Sequence, residues 1–181
     1  YSYYYVQSNL KLYFGKDLGY SVDPDEVVAA GAAIQAYILS NKNDVTKIID
    51  YGIIQPDKKE TLPKRLFSIY TDIEELIKKF SPNILAIEDI FYGRNIKSAF
   101  YLGQARGVAM LCAAKHDMPV FEYSAKKVKQ AITGNGNADK TQLQYMIKQL
   151  FNLKYLPEPL DASDAISIAL CYINQIKIEN L

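Results

Sequence analysis

The sequence predicts an α/β fold, a mixed and largely parallel sheet flanked by helices, and three observations carry that expectation. Asn83-Ile84-Leu85-Ala86-Ile87 is a short apolar run after Pro82, as a strand buried on both faces requires. Leu66, Ile69, Ile73, Leu76 and Ile77 recur at the helical period just before it. Further along, strand-like and helix-like segments alternate, which is the pattern of a layered α/β domain. With 181 residues, 49% of them hydrophobic, the chain is sized for one globular domain with a sizeable core.

Taken in order, residues 6–20 read as a short amphipathic helix ending near Gly15, then a loop. Asp23 is a plausible N-cap, with Pro24 at the first helical position and Glu26 where a capping box wants it. Residues 24–39, Ala-rich and apolar, are expected to form a buried helix, and Asn41-Lys42-Asn43-Asp44 a loop and junction. Residues 45–54 read as a strand and Leu62 to Phe80 as a helix. The strand at 83–87 runs into Glu88 and Asp89. Then come a helix over 95–115 and a strand at Val120-Phe121-Glu122-Tyr123. Helices over about 124–132 and 138–151 follow, parted by Gly134-Asn135-Gly136, and a last helix runs from near Asp161 to about Gln175. No internal repeat or low-complexity tract interrupts this order.

Composition narrows the chemistry. No run of 18 apolar residues exists, so no membrane-spanning helix is expected. Tyr1-Ser2-Tyr3-Tyr4-Tyr5 lacks the basic and apolar regions of a signal peptide and has no initiator Met, so it reads as a fragment or a processed start. Cys112 and Cys171 each lie in an apolar helical run and read as buried reduced thiols, consistent with the cytosol. With no C-x-x-C and a single His, His116, zinc held by Cys/His clusters is excluded. A metal here would be held by carboxylates, which favours Mg²⁺ or Mn²⁺. Net charge is +1, but between Tyr92 and Lys154 ten Lys or Arg stand against three acids. Such a stretch suits a phosphate backbone, and equally a solvated face.

Four features carry chemistry. Glu88 ends a buried strand, where open α/β sheets place ligands and metals, although an exposed strand-end acid reads the same way. Asp161 and Asp164, three apart at the start of the last helix, share one face. Asp161 also reads as a simple helix cap. Together the three acids suit two divalent ions, which stabilise the attacking and leaving oxygens of phosphodiester hydrolysis. Lys126, Lys127, Lys129 and Lys140 flank the Gly-Asn-Gly turn, where lysines bind phosphates or neutralise transition-state charge. Phe91-Tyr92-Gly93-Arg94-Asn95 follows the strand-end acid, and a loop aromatic there would stack on an unpaired base or cover the core.

These residues resemble RuvC-type Holliday junction resolvases. The resemblance runs through Leu85-Ala86-Ile87-Glu88-Asp89-Ile90-Phe91-Tyr92-Gly93-Arg94-Asn95, Ser98-Ala99 and Leu102-Gly103-Gln104-Ala105-Arg106-Gly107. It continues through Val120-Phe121-Glu122-Tyr123, Val128-Lys129-Gln130, Gly134-x-Gly136-x-Ala138-x-Lys140 and Asp161-Ala162-Ser163-Asp164-Ala165, in order and spacing, over residues 45–175. It implies an RNase H-like fold, a domain from residue 43 to 181, and a bacterial, cytoplasmic homodimer that cuts four-way DNA junctions symmetrically using Mg²⁺. It implies Glu88, Asp161 and Asp164 as metal-binding catalytic acids, Lys129 and Lys140 as catalytic or DNA-contacting lysines, and Phe91 as a base-stacking wedge. Arg94, Lys126 and Lys127 are further DNA-binding candidates. Helix 95–115 resembles the family's dimerisation helix, and the RuvA and RuvB branch-migration proteins are the partners it implies.

The family opens on a central strand ending in Ile-Asp-Pro-Gly, whose Asp is a fourth metal ligand. Here the nearest match is Val22-Asp23-Pro24-Asp25, without the Gly and without an apolar lead-in. Residues 6–39 instead resemble the end of an Hsp70-type (DnaK-type) ATPase domain, on Phe14-Gly15-Lys16 and Val22-Asp23-Pro24-Asp25-Glu26-Val27-Val28-Ala29-Ala30-Gly31-Ala32-Ala33-Ile34-Gln35. The Gly-rich nucleotide-binding turn of that family is absent, so no nucleotide is expected. Residues 1–42 are therefore expected to be a helical segment replacing the first strand. Weak or absent cleavage is expected, with a catalytically inactive junction-binding module as the alternative.

Overall fold

The computed structural model describes residues 36–40, 46–89 and 96–179. The expected helix at 6–20, Asp23, the loop at 41–44, Phe91 and Arg94 lie outside the described residues.

Two strands, β1 (Ala36–Ser40) and β2 (Thr46–Tyr51), pair antiparallel, with Tyr37 opposite Asp50 and Ile38 opposite Ile48. Residues 36–39 are thus strand and not the end of a buried helix. The Ala-rich composition that favours helix lies upstream, whereas Tyr-Ile-Leu suits a pleated surface once a partner strand is present. That partner is β2, and the last helix, Leu160–Glu179, packs across the pair, so residues 36–40 join the layered domain.

Helix α1 (Leu62–Phe80) follows, then β3 (Leu85–Glu88), α2 (Ile96–Lys115) and β4 (Val120–Tyr123), with β3 and β4 parallel. Helices α3 (Ala125–Thr133), α4 (Lys140–Leu150) and α5 (Leu160–Glu179) complete the order. The helix and strand types predicted for 62–179 all appear, with boundaries moved by a few residues.

β3 separates two apolar layers. On one side Ile69, Ile73 and Ile77 of α1 meet Ala105, Ala109 and Cys112 of α2, with Leu85 and Ile87 against them. On the other, Tyr123, Val128, Ile132, Leu143, Ile147, Ile166, Leu170 and Cys171 cluster, with Ala86 against them. Alternate strand residues point to opposite faces, so Glu88 shares the face of Ala86, toward α3, α4 and α5. Strand period alone thus aims the strand-end acid at the last helix. Both cysteines are buried and free, as expected. Among the described residues, no helix is long and apolar enough to cross a membrane.

The turn between α3 and α4 brings two basic helices together. Gly134 ends α3 at φ 74°, a left-handed cap that its backbone N–H completes by donating to the Gln130 carbonyl. A Cβ on Gly136 would come within 2.9 Å of Lys126 Cγ and 3.2 Å of the Lys126 carbonyl, so that turn closes onto backbone. Asp139 then opens α4 with a capping box, accepting from the Gln142 N–H while Gln142 accepts from the Asp139 N–H. Hydrogen bonds from Thr141 and the Gln142 backbone hold the Asp139 carboxyl below the usual carboxylate range. Substituting Gly134→Ala forces a side chain into the left-handed region at a cost of about 1 kcal/mol. A drop of roughly 2–4 °C in Tm by calorimetry is expected, and an unchanged Tm would show that the turn tolerates another geometry.

Candidate active site

Glu88 stands at the open end of β3, exposed to solvent at its edge. Its pKa is raised. Partial burial of the carboxyl is the largest cause, followed by the charge of Asp164, and Asp161 adds to both, while Lys140 and Lys129 oppose them. Charges act strongly on one another only at close range. Four of the groups the sequence singled out therefore share one electrostatic neighbourhood with Glu88.

Asp161 lies in the first turn of α5, inside the helix and not at its cap, and Asp164 one turn on. Lys140, the first residue of α4, donates from Nζ to both: 2.8 Å to Asp161 Oδ1 and 2.8 Å to Asp164 Oδ2. Burial opposes the charge on Lys140, but its bonds to the two carboxylates prevail and its pKa is raised. The capping box of α4 places this lysine, and the Gly134–Gly136 turn aims that helix at α5. Two acids three residues apart on a helix have therefore gathered one cation between them.

The remaining basic candidates divide. Lys129 lies near enough to Glu88 and Asp139 to lower the pKa of each by its charge. Lys126 is exposed, its stem lying against the Gly136 turn. Lys127 turns to the fold: its Nζ donates to Gln175 Oε1 at 3.0 Å and sits 5.0 Å from the centre of the Tyr123 ring, tying α3 to α5 and β4. Phe91 and Arg94 lie outside the described residues.

The structure adds a residue to which the sequence assigned no site role. Arg106 of α2 donates from Nε to the Glu88 carbonyl at 3.2 Å and forms an ion pair with Glu122 of β4. It thereby clips the end of β3 to its neighbour strand and holds the backbone that carries Glu88. Its place in Leu102-Gly103-Gln104-Ala105-Arg106 was visible, but nothing in helical period says that it reaches a strand end.

Compared with known proteins, residues 22–172 match the family model described as crossover junction endodeoxyribonuclease RuvC. The chain belongs to the RuvC family. The RuvC protein of Alkaliphilus oremlandii (strain OhILAs) is 41% identical over 143 residues, covering 78% of this chain and 87% of that protein. That of Caldicellulosiruptor saccharolyticus is 40% identical over 145 residues, covering 79% and 87%. Among solved structures, Thermus thermophilus RuvC in complex with Holliday junction substrate superposes with a TM-score of 0.74 at 25% identity, covering 80% of this chain and 87% of that one. A second Thermus thermophilus RuvC structure gives a TM-score of 0.70. The RuvC match begins upstream of β1 and takes in Val22-Asp23-Pro24, the segment nearest to the family's first-strand aspartate.

The donor set fits a hard divalent cation: carboxylate oxygens, with no thiolate or imidazole among them. Among the described residues no three acids stand ready at metal-ligand spacing. The cation that the Asp161–Asp164 pair holds is the Lys140 ammonium.

Proposed function

We propose that this chain is a structure-specific endonuclease that resolves four-way DNA junctions by divalent-metal-dependent hydrolysis of phosphodiester bonds. One observation carries the reading: Lys140 bridging Asp161 and Asp164 beside Glu88 at the open end of a parallel strand. The relatives' shared name and the junction-bound structure of a relative support the same substrate.

In this reading Glu88, Asp161 and Asp164 hold the metal, Mg²⁺ or Mn²⁺, two ions per site, and Lys129 and Lys140 face the scissile phosphate. A divalent ion held by these carboxylates would supply Lewis-acid polarisation of the phosphate and a more acidic bound water. The protein's own part is to place the carboxylates and present ammonium groups to developing negative charge. Lys126 and Arg94 extend the basic surface for the DNA backbone, and Phe91 stacks on a base near the cut. Lys127 adds positive charge while bracing α5. No nucleotide takes part, and the cytoplasm is the proposed setting. We assign residues 43–181 to the nuclease domain, with 36–40 joined to it through β1.

A homodimer completes the proposal. On α2, Phe100 and Leu111 are 68% and 62% exposed, and with Gln104 and Gly107 they form one outward stripe. A Cβ on Gly107 would meet nothing within 4 Å. An apolar stripe of this kind on a long helix suits a second copy of the same helix, and a two-fold pair would present two sites to the two symmetric strands of a junction. RuvA and RuvB are the partners that membership of the family suggests.

The test is a synthetic four-way junction incubated with the purified chain in Mg²⁺ and in Mn²⁺. Paired, symmetric nicks that vanish in EDTA are expected. They should form more slowly than with the Alkaliphilus protein, because the family's Asp-Pro-Gly is met here only by Asp23-Pro24-Asp25. A gel shift with no nicking in either metal would reduce the chain to a junction-binding module and overturn the enzymatic reading.

A further inference from the structure

The acid pair of α5 must be held at a set distance from α4, and the structure contains a buried polar clasp between the two. Gln144 lies one turn after Lys140 on α4 and is only 7% exposed. Its Nε2 donates to the Pro157 carbonyl at 2.8 Å. The same carbonyl accepts from Ser163 Oγ at 3.3 Å, and Ser163 is fully buried between Asp161 and Asp164. Ser167 Oγ, also fully buried, donates to the Ser163 carbonyl at 2.7 Å.

Nothing about packing asks for an amide there. Leu143, Ile147 and Ile166 form the core around this part of α4 and α5, and a leucine would bury more cheaply than a glutamine. A buried donor is retained where its hydrogen bond fixes a geometry. Here the geometry is that of the chain entering α5. One peptide carbonyl receives a donor from the helix that carries Lys140 and a donor from the helix that carries the acids.

We propose that Gln144 is a positioning residue of the nuclease site: through the Pro157 carbonyl and Ser163 it sets the spacing between Lys140 and the Asp161–Asp164 pair, and hence the metal affinity of that pair. The proposal rests on the nuclease reading and deepens it. Groups standing behind metal-binding residues change metal affinity or activity about 10–100-fold when they are removed.

The test compares the full chain with Gln144→Leu, Gln144→Glu, Ser163→Ala and, as a core control, Leu143→Ala. Free Mn²⁺ is counted by electron paramagnetic resonance without DNA, and junction affinity is measured by gel shift in EDTA. Gln144→Leu should raise the half-saturating Mn²⁺ concentration by about tenfold while leaving junction affinity within about twofold. Ser163→Ala, which removes the second donor to the same carbonyl, should shift it in the same direction by less. Glutamate at 144 can donate only when protonated, so Mn²⁺ affinity of Gln144→Glu relative to the parent should fall as pH rises. For Gln144→Leu that ratio should be flat. Leu143→Ala should lower Tm and leave Mn²⁺ affinity unchanged.

If Gln144→Leu and Ser163→Ala bind Mn²⁺ like the parent, or Leu143→Ala weakens Mn²⁺ as much at equal loss of Tm, the clasp has no positioning role. Should Gln144→Leu fail to fold, Ser163→Ala and Gln144→Glu decide the matter by the same criteria. A parent chain that binds Mn²⁺ and nicks junctions while the variants are unaffected sinks this proposal alone; a parent that does neither sinks the nuclease reading with it.

Discussion

Glu88→Gln is expected to abolish nicking of a four-way junction, by about 10³-fold or more, while raising the stability of the folded chain. The loss corresponds to about 4 kcal/mol of transition-state stabilisation, the scale on which a metal-holding carboxylate acts. The gain follows from linkage. Burial and the charges of Asp164 and Asp161 raise the Glu88 pKa in the fold above its unfolded value. A carboxyl shifted in that direction favours the fold while protonated and loses that contribution as pH rises through the folded pKa. At neutral pH the ionised Glu88 therefore opposes folding, and glutamine at that position does not. Melting curves of parent and variant should be separated at pH 7, with the variant higher, and should converge below about pH 4, where an unfolded glutamate is also protonated. Without metal, the Glu88 carboxyl followed by NMR should titrate above the range of an ordinary glutamate, and Asp164→Asn should move it back down. A variant melting below the parent at pH 7 would mean that Glu88 sits in a stabilising site, contrary to this account.

Lys140→Met carries the second large effect. Lys140 is the counter-ion of both Asp161 and Asp164. Nicking should fall by about 10²-fold, the scale for losing one donor to developing negative charge. Without metal, Tm should fall, since two carboxylates then face each other with no cation between them. Half-exposure of the lysine limits that loss to about 1 kcal/mol or less. Saturating Mn²⁺ should then raise the Tm of Lys140→Met more than that of the parent. A divalent ion that takes the same oxygens competes with the ammonium in the parent, and a ligand stabilises a fold more the further its concentration exceeds its dissociation constant. Equal Mn²⁺ shifts in the two proteins would show that Lys140 and the metal use different oxygens.

Much of this molecule is legible in its sequence, and the limits of that legibility are physical. Helix α1 is written in its apolar period, and Pro82 ends it. The short apolar strand β3 needs no partner to be recognised, because only burial on both faces explains such a run. The turn between α3 and α4 shows in its glycines, and the cap at Asp139 in its chemistry. Residues 36–39 were the exception. Their neighbours upstream are good helix formers, and the strand exists through pairing with residues 46–51, which no local propensity records.

The sequence by itself determined the kind of chemistry: acids at a strand end and along one helix face, lysines around a glycine turn, no thiolate or imidazole cluster. It also determined which face of β3 Glu88 would take, since strand alternation is a local property. Only the tertiary structure decided which of these groups meet. Lys140 joins acids 21 and 24 positions away, Arg106 reaches back 18 to the Glu88 carbonyl, and Gln144 finds a carbonyl 13 residues on. Such contacts depend on how helices pack against a sheet, a consequence of the whole core, and so they appear in no single segment of the chain.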